Sequence, residues 1–290
     1  MQATTRQVFQ GADGVALVGD VTGSPHRGTV LLAHGGGQTR HAWSSAASKL
    51  ALQGWRAVAL DLRGHGESEW SPIGDYRMQR FAEDLVVVAD QLGERPALVG
   101  ASLGGLAGLM VETVLAPRTF SSLTLVDITA RMEVSGVAKI MGFMGANLQD
   151  GFASLDEAAD TIASYLPHRP RPTELSGLAK NLRRHADGRY RWHWDPRFVT
   201  SVMEGRDEHL MERFESGARN LTLPVHLIRG RMSELVSEEA AKEFIEMVPH
   251  ATFTNVAGAG HMVAGDRNDA FVVAVLQFLN SNKVSTAHDR

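Results

Sequence analysis

The chain has 290 residues, of which 43% are hydrophobic and 21% charged, and its formal net charge is -4 at pH 7. This balance is typical of a globular protein with a sizeable core. No segment resembles a strongly basic stripe, so we do not expect nucleic acid as a partner. Because the chain contains no cysteine, a thiol nucleophile, a disulfide framework and thiolate metal sites are excluded.

The N-terminal segment and the hydropathy of the chain bear on its location. The first ten residues have neither the basic start nor the apolar stretch of a secretory signal peptide. No run of about 18 apolar residues occurs, so neither a membrane span nor a membrane partner is expected. We therefore expect a cytoplasmic protein, whose oligomeric state the sequence leaves open.

The first half of the chain alternates between short apolar runs and segments of helical periodicity. Residues 15–21 follow a Gly-Ala-Asp-Gly turn and are predicted to form an early edge strand. Continuous apolar runs predict buried strands at residues 29–33, 56–60, 97–99 and 123–126. Apolar residues at helical spacing lie between these runs. This alternation predicts the α/β class, with a mostly parallel, doubly wound sheet.

The strand rhythm stops after about residue 129 and resumes near residue 222. We therefore predict a core made of residues 1–129 and 222–290, interrupted by a mainly helical insertion at residues 130–221. After the insertion, strands are predicted at residues 224–228 and 252–256. The helix between them should begin after Ser237 as its N-cap and stop before Pro249.

Ser102 lies in the most informative stretch, where an apolar run ends in Gly-x-Ser-x-Gly and a helical segment follows at once. Such a serine is predicted to occupy a sharp strand-to-helix turn, the nucleophile elbow. Gly100 and Gly104 have no side chains, so they fit beside the serine in a strained turn. The first amides of the following helix can then face a developing negative charge.

A serine hydroxyl is a weak nucleophile, so it needs a histidine to take its proton and a carboxylate to orient that histidine. His261 lies in a glycine-rich loop after the last predicted strand. Two acids that lie between Ser102 and His261 follow predicted strands, and both are candidates for this carboxylate. They are Asp127 and Glu234.

Four stretches in this order resemble the α/β-hydrolase superfamily. The similar stretches are His34-Gly35-Gly36-Gly37, residues 61–68, Gly100 to Gly104 and the histidine loop at residues 258–262. The resemblance covers nearly all of the chain outside the insertion, and it implies an α/β-hydrolase fold with a Ser-His-acid triad. It also implies that the insertion is a helical cap above Ser102.

The resemblance also bears on the acid and on the oxyanion hole. After the strand predicted at residues 224–228, the family usually has an Asp three residues beyond the glycine, which here is Gly230. This chain has Ser233 at that position, and Glu234 comes one position later. On this basis Glu234 is the preferred acid and Asp127 the alternative. The elbow implies the amide of Leu103 as one oxyanion donor, and the glycine loop implies Gly36 as the second.

The remaining histidines and the side chains of the insertion have no assigned role in catalysis. His34, His41 and His65 have no plausible set of metal ligands and are interpreted as structural. In the insertion, apolar side chains could line a pocket or form helical core, and arginines could attract a carboxylate or form a solvated face. The apolar side chains are Met141, Phe143, Met144, Phe152 and Tyr165. The arginines are Arg169, Arg171, Arg183, Arg184, Arg189 and Arg191.

The sequence therefore predicts a serine hydrolase of small carboxylic esters that works through an acyl-enzyme, with no cofactor and no metal. Its expected partner is the small-molecule ester. The same groups could instead cleave a carbon-carbon bond, an amide or a lactone, or form peracids from peroxide. An alternative of another class is a catalytically silent protein that binds a small ligand.

Overall fold

The computed structural model describes residues 3–166, 171, 173–204, 209–261, 263 and 268–282. The strands are β1 (Thr4–Gln10), β2 (Ala16–Thr22), β3 (Thr29–Ala33), β4 (Arg56–Leu60), β5 (Ala97–Ala101), β6 (Ser122–Val126), β7 (Leu182–Arg184), β8 (Tyr190–Trp192), β9 (Val225–Gly230) and β10 (Thr252–Val256). The α-helices are α1 (Ser44–Leu52), α2 (Met78–Leu92), α3 (Leu103–Met110), α4 (Val134–Gly145), α5 (Leu155–Tyr165), α6 (Ser176–Ala179), α7 (Arg197–Glu204), α8 (Leu210–Ala218), α9 (Glu238–Met247) and α10 (Asn268–Ser281).

One sheet of eight strands organises the described residues, in the order β1-β2-β4-β3-β5-β6-β9-β10. β2 is antiparallel to β1 and β4, and the strands β4, β3, β5, β6, β9 and β10 run parallel to one another. Parallel neighbours end at the same edge, so the loops after β3, β5, β6, β9 and β10 meet there. The predicted α/β class and mostly parallel sheet are confirmed.

Helices cover both faces of the sheet, which explains the continuous apolar strands. In β3, Leu31 and Ala33 belong to the core beneath α2, α3 and α9. Val30 and Leu32, which point to the other face, belong to the core beneath α1 and α10. A strand buried on both faces must be apolar at every position, which is the pattern that the sequence carries.

The edge of the sheet differs from the prediction. The strand predicted at residues 15–21 is β2, but it lies second, and β1 is the edge strand. Among the residues of β1, Phe9 alone is buried. A strand with one buried side chain has little apolar signal, so the sequence pattern did not reveal it.

The chain between β6 and β9 contributes no strand to the large sheet in the part that the structure describes. It contains α4 to α8 and the β7–β8 hairpin. Trp192 and Trp194 are buried and stacked, with ring centroids 4.7 Å apart. The division into a core and an insertion at residues 130–221 remains a prediction. Within the described residues, no helix has the length and apolar character needed to cross a membrane.

Candidate active site

Ser102 lies between β5 and α3 in a strained backbone conformation, with φ 44° and ψ -111°. The turn is so tight that a Cβ on Gly100 would lie 2.6 Å from the Gly104 carbonyl carbon and oxygen, and one on Gly104 would lie 2.5 Å from the Ala33 carbonyl oxygen. Both positions therefore require glycine. The Ser102 amide donates to the Val126 carbonyl (3.2 Å), which places the serine beside the end of β6.

Asp127 follows β6 directly and is fully buried. Its φ of 53° is unusual for a residue other than glycine, and such strain persists where surrounding contacts enforce it. The contacts are specific: Oδ1 accepts a bond from the Gly230 amide (3.0 Å), and Oδ2 lies 2.7 Å from His261 Nδ1. A carboxylate in this position orients the imidazole and favours the proton on Nδ1.

Glu234, the preferred acid of the sequence analysis, does not contact His261. Its side chain is 64% exposed, and its two carboxylate oxygens accept bonds from Lys139 Nζ at 2.8 and 2.6 Å. The geometry therefore favours the alternative acid, Asp127, in contact with the histidine. The loop after β9 directs Ser233 toward Asp127 and leaves the adjacent Glu234 on the outside, next to α4.

Ser233 is the residue that sequence reasoning passed over. Its hydroxyl donates to Asp127 Oδ2 at 2.5 Å, the oxygen that also contacts His261. The same hydroxyl accepts bonds from the amides of Leu235 and Val236, both at 3.1 Å. The available signal was that serine stands where the related family has its usual acid, so a polar side chain there faces the histidine loop.

The structure brings Ser102, Asp127 and His261 to one edge of the sheet. The His261 side chain is 22% exposed, whereas Asp127 is buried beneath it. No hydrogen bond within the described residues joins Ser102 Oγ to the His261 ring. Catalytic contacts of this kind often shorten only in the complex with substrate. Met262, at the end of the predicted histidine loop, lies outside the described residues.

The glycine loop after β3 contains three amides with different partners. The Gly35 amide donates to Gln38 Oε1 (3.0 Å), and the Gly37 amide donates to His65 Nε2 (3.1 Å). For the Gly36 amide, the structure gives no acceptor among the residues it describes. The Leu103 amide, the first of α3, likewise has no acceptor there. The two predicted oxyanion donors are thus available for a ligand.

His34 and His65 are buried and bond to backbone on both ring nitrogens. Nε2 of His34 accepts from the Leu62 amide (3.0 Å), so its Nδ1 donates to the Gly35 carbonyl (2.8 Å). Nδ1 of His65 donates in the same way to the Arg63 carbonyl (2.9 Å). Burial lowers the pKa of His34 to about 4 and that of His65 to about 3. Both rings act as neutral structural groups, while His41 lies in the 3₁₀ turn Arg40–Trp43.

Apolar side chains of the insertion cover the glycine loop. A Cβ on Gly37 would lie 3.1 Å from Met144 Cε and 3.2 Å from the Trp194 ring, and one on Gly36 would lie 3.4 Å from Phe198. The other candidate pocket residues pack within the insertion. Phe143 stacks on Tyr165 with centroids 4.1 Å apart, and Phe152 packs edge-on against Trp192.

The insertion arginines are largely engaged by backbone oxygens and acids. Arg184 is exposed, and Arg169 lies outside the described residues. The engaged pairs are Arg171 with Asp156 and Asp160, Arg183 with the Gly66 carbonyl, Arg189 with the Asp150 and Gly151 carbonyls, and Arg191 with the Gln149 carbonyl and Asp187. These contacts give the arginines a structural role in the surface of the insertion.

The sheet order, the elbow and the histidine loop together define an α/β hydrolase. The sequence pattern of the alpha/beta hydrolase family matches residues 30–275, and the chain belongs to this family. The family resemblance expected from the sequence is thereby confirmed. Because this match covers most of the chain, it applies to both parts of the core.

Two curated relatives illustrate the range of the family. The chain is 28% identical to an esterase of Mycobacterium tuberculosis over 263 residues, covering 87% of this chain and 83% of that protein. It is 26% identical to the 3-hydroxybutyrate-oligomer hydrolase of Cupriavidus necator, covering 82% of this chain and 84% of that protein. These likenesses support an ester hydrolase at the level of the family.

A solved structure supports the fold independently. The crystal structure of E-2-(acetamidomethylene)succinate hydrolase superposes with a TM-score of 0.83 over 96% of this chain and all of the other, at 21% identity. At this identity the likeness concerns the fold and not the substrate.

Proposed function

We propose that the protein is a serine hydrolase of small carboxylic esters, with Ser102 as nucleophile, His261 as general base and Asp127 as the orienting acid. The observation that carries this proposal is the hydrogen bond between Asp127 Oδ2 and His261 Nδ1, beside the strained turn at Ser102. An imidazole held through Nδ1 presents Nε2 to a serine hydroxyl.

In the first half-reaction, His261 Nε2 takes the proton from Ser102 Oγ, and the oxygen attacks the ester carbonyl carbon. The carbonyl oxygen becomes negatively charged and accepts hydrogen bonds from the Leu103 and Gly36 amides. Collapse of the intermediate breaks the carbon-oxygen bond, and the imidazolium gives its proton to the departing alcohol. An acyl group then remains on Ser102.

In the second half-reaction, His261 takes a proton from water, and the hydroxide attacks the acyl carbon. The same two amides stabilise the oxyanion, and the imidazolium returns its proton to Ser102 Oγ as the acid is released. Loss of one such donor typically costs about 2.7–4 kcal/mol of barrier, so the two amides contribute substantially. These steps use groups of the chain and water.

The walls of the site favour an uncharged, apolar acyl group. Met144 and Phe198 lie against the glycine loop and are buried. Most of the insertion's arginines are bonded to carbonyl oxygens and acids, which weakens the case for a second carboxylate on the substrate. We therefore propose a small-molecule ester with an apolar acyl chain as the substrate.

The test is hydrolysis of p-nitrophenyl esters from acetate to laurate by the wild type and by Ser102→Ala. We expect turnover by the wild type and a fall in kcat of at least about 10⁴-fold in the variant. Ser48→Ala, on the exposed face of α1, is the matched control and should retain activity. If the folded wild type hydrolyses no ester and Ser102 resists a fluorophosphonate, the protein is a silent binder and the proposal is overturned.

A further inference from the structure

His193 connects the insertion to the glycine loop. It follows β8 directly, and its side chain is buried. The Gly66 amide donates to its Nδ1 at 2.7 Å, and its Nε2 lies 3.2 Å from the Gly37 carbonyl oxygen. The single ring therefore contacts the loop after β4 and the loop after β3.

The hydrogen-bond partners determine the tautomer of this ring. An amide can only donate, so Nδ1 of His193 must carry the lone pair and Nε2 the proton. Nε2 then donates to the Gly37 carbonyl. Burial, with His65 and His34 nearby, lowers the pKa of His193 to about 2, so the ring is neutral at neutral pH.

Gly37 is consequently held on both of its backbone groups. Its amide donates to His65 Nε2, and its carbonyl accepts from His193 Nε2. The Gly35 amide is held separately by Gln38 Oε1. The Gly36 amide shares its peptide unit with the Gly35 carbonyl, which accepts bonds from His34 Nδ1 (2.8 Å) and the Gln38 amide (3.1 Å). The bonds of Gly37 hold the two peptide units that follow, so both sets of bonds fix the direction of the Gly36 amide.

Asp195, two residues after His193, fixes this segment to the core. The Asp195 amide donates to the Gly64 carbonyl (2.9 Å), and the Asp195 carboxylate accepts from the Tyr76 hydroxyl (2.6 Å). Asp195 is buried, so these bonds are shielded from water. The ring can therefore restrain the glycine loop and does not merely follow it.

We propose that His193 is a positioning residue for the oxyanion hole: its Nε2–H bond to the Gly37 carbonyl holds the far side of the glycine loop and so keeps the Gly36 amide directed at the substrate oxygen. The proposal rests on the proposed function, since it concerns the same site. A donor that is misplaced by a fraction of an ångström loses much of its effect on the transition state and little of its effect on the bound substrate.

Three substitutions separate the two arms of the ring. His193→Gln retains a donor near the position of Nε2, His193→Asn retains an acceptor near the position of Nδ1, and His193→Leu retains neither. We expect kcat to fall about 10- to 100-fold in the Leu and Asn variants, with KM changed less than about twofold. The Gln variant should recover most of the lost kcat because it preserves the bond to Gly37.

The measurement is made per active site, with the concentration of competent Ser102 titrated by a fluorophosphonate. His226→Leu is the control, since His226 is also buried but lies under α10, where it contacts Phe278. It should lower stability and leave kcat per titrated site unchanged. If the His193→Leu variant does not fold, the comparison of Gln with Asn decides the test.

Two results would overturn the inference. One is an equal kcat per titrated site in the wild type and every folded His193 variant, which would mean that the ring only docks the insertion. The other is an Asn variant at least as active as the Gln variant, which would mean that the bond to Gly37 does not determine kcat. Both results leave the hydrolase proposal intact, whereas its own failure appears as a wild type without turnover.

Discussion

The loops at the carboxyl edge of the sheet and the insertion contribute differently to the site. At the edge, the acid is held by defined partners, as in the bonds of Asp127 to His261, Ser233 and Gly230. The insertion contributes mainly apolar surface, with His193 as its polar contact to the glycine loop. We propose that the edge carries the reacting groups and that the insertion shapes what the site accepts, with His193 as the insertion's contribution to the geometry of the glycine loop.

The largest effect that would break this comparison concerns the two candidate acids. Asp127→Asn should lower kcat by about 10⁴-fold, because an amide in place of the carboxylate favours the wrong tautomer of the histidine. Glu234→Gln should stay within about threefold of the wild type, because Glu234 is exposed and contacts Lys139. Steady-state kinetics on one ester measures both. A large loss in Glu234→Gln with an active Asp127→Asn would contradict the assignment.

The buried histidines predict a pH-dependent stability. His34, His65 and His193 have a folded-state pKa of about 4, 3 and 2, each below the ordinary value of 6.5. Below pH 6.5 the unfolded chain binds these protons and the folded chain does not, so the free energy of unfolding falls as pH falls. The expected slope is at most about 1.4 kcal/mol per pH unit for each histidine.

Urea denaturation at about pH 7 and about pH 5 measures this slope, because the ordinary pKa of histidine lies between these two values. His193→Gln removes one of the titrating groups, so it should reduce the slope by up to about 1.4 kcal/mol per pH unit. His26→Gln is the control, because His26 is exposed. A stability that does not change between the two pH values would contradict the neutral buried histidines.

Ser233 tests how tightly the edge is ordered. Ser233→Ala removes a hydrogen bond to the buried carboxylate and should lower kcat about tenfold, since such bonds to charged groups contribute about 1.5–3 kcal/mol. Ser233→Thr retains the hydroxyl and should recover most of the activity. If Ala and Thr have the same kcat, the Ser233 hydroxyl does not position Asp127.

Substitution of Met144 tests whether the insertion sets the preference for acyl-chain length, and its expected effect on kinetics is the smallest of these predictions. Met144→Ala makes room beside Gly37 and should shift the preference toward longer acyl chains by several-fold in kcat/KM. The p-nitrophenyl ester series measures the shift. Met232→Ala, at a half-exposed side chain in the loop after β9, should leave the preference unchanged. An unaltered chain-length profile for Met144→Ala would place the acyl site elsewhere.

The fold was accessible from the sequence because buried parallel strands must be apolar throughout. β3 and β4 begin and end where the apolar runs predict, and Ser237 caps α9 through the Ala240 amide (3.1 Å). The polar edge strand β1 was missed because only Phe9 among its residues is buried. Local pattern thus reports burial and fails where burial is slight.

The acid shows why the site was only partly predictable. Loop position relative to a glycine favoured Glu234, yet the contact with His261 depends on which strands are neighbours. β6 lies between β5 and β9, so the residue after β6 is beside both the elbow and the loop after β9. Side-chain direction in that loop then separates Ser233 from Glu234. Sequence spacing does not carry either kind of information.

The most direct test of the central claim is the rate at which a fluorophosphonate labels Ser102, with the adduct located by peptide mass spectrometry. We predict a single adduct on Ser102 in the wild type. Labelling should be at a similar rate in Glu234→Gln and strongly slowed in Asp127→Asn, because the reagent reports the serine that His261 and its acid activate. A folded wild type without an adduct on Ser102, or one that depends on Glu234 and not on Asp127, would contradict the account.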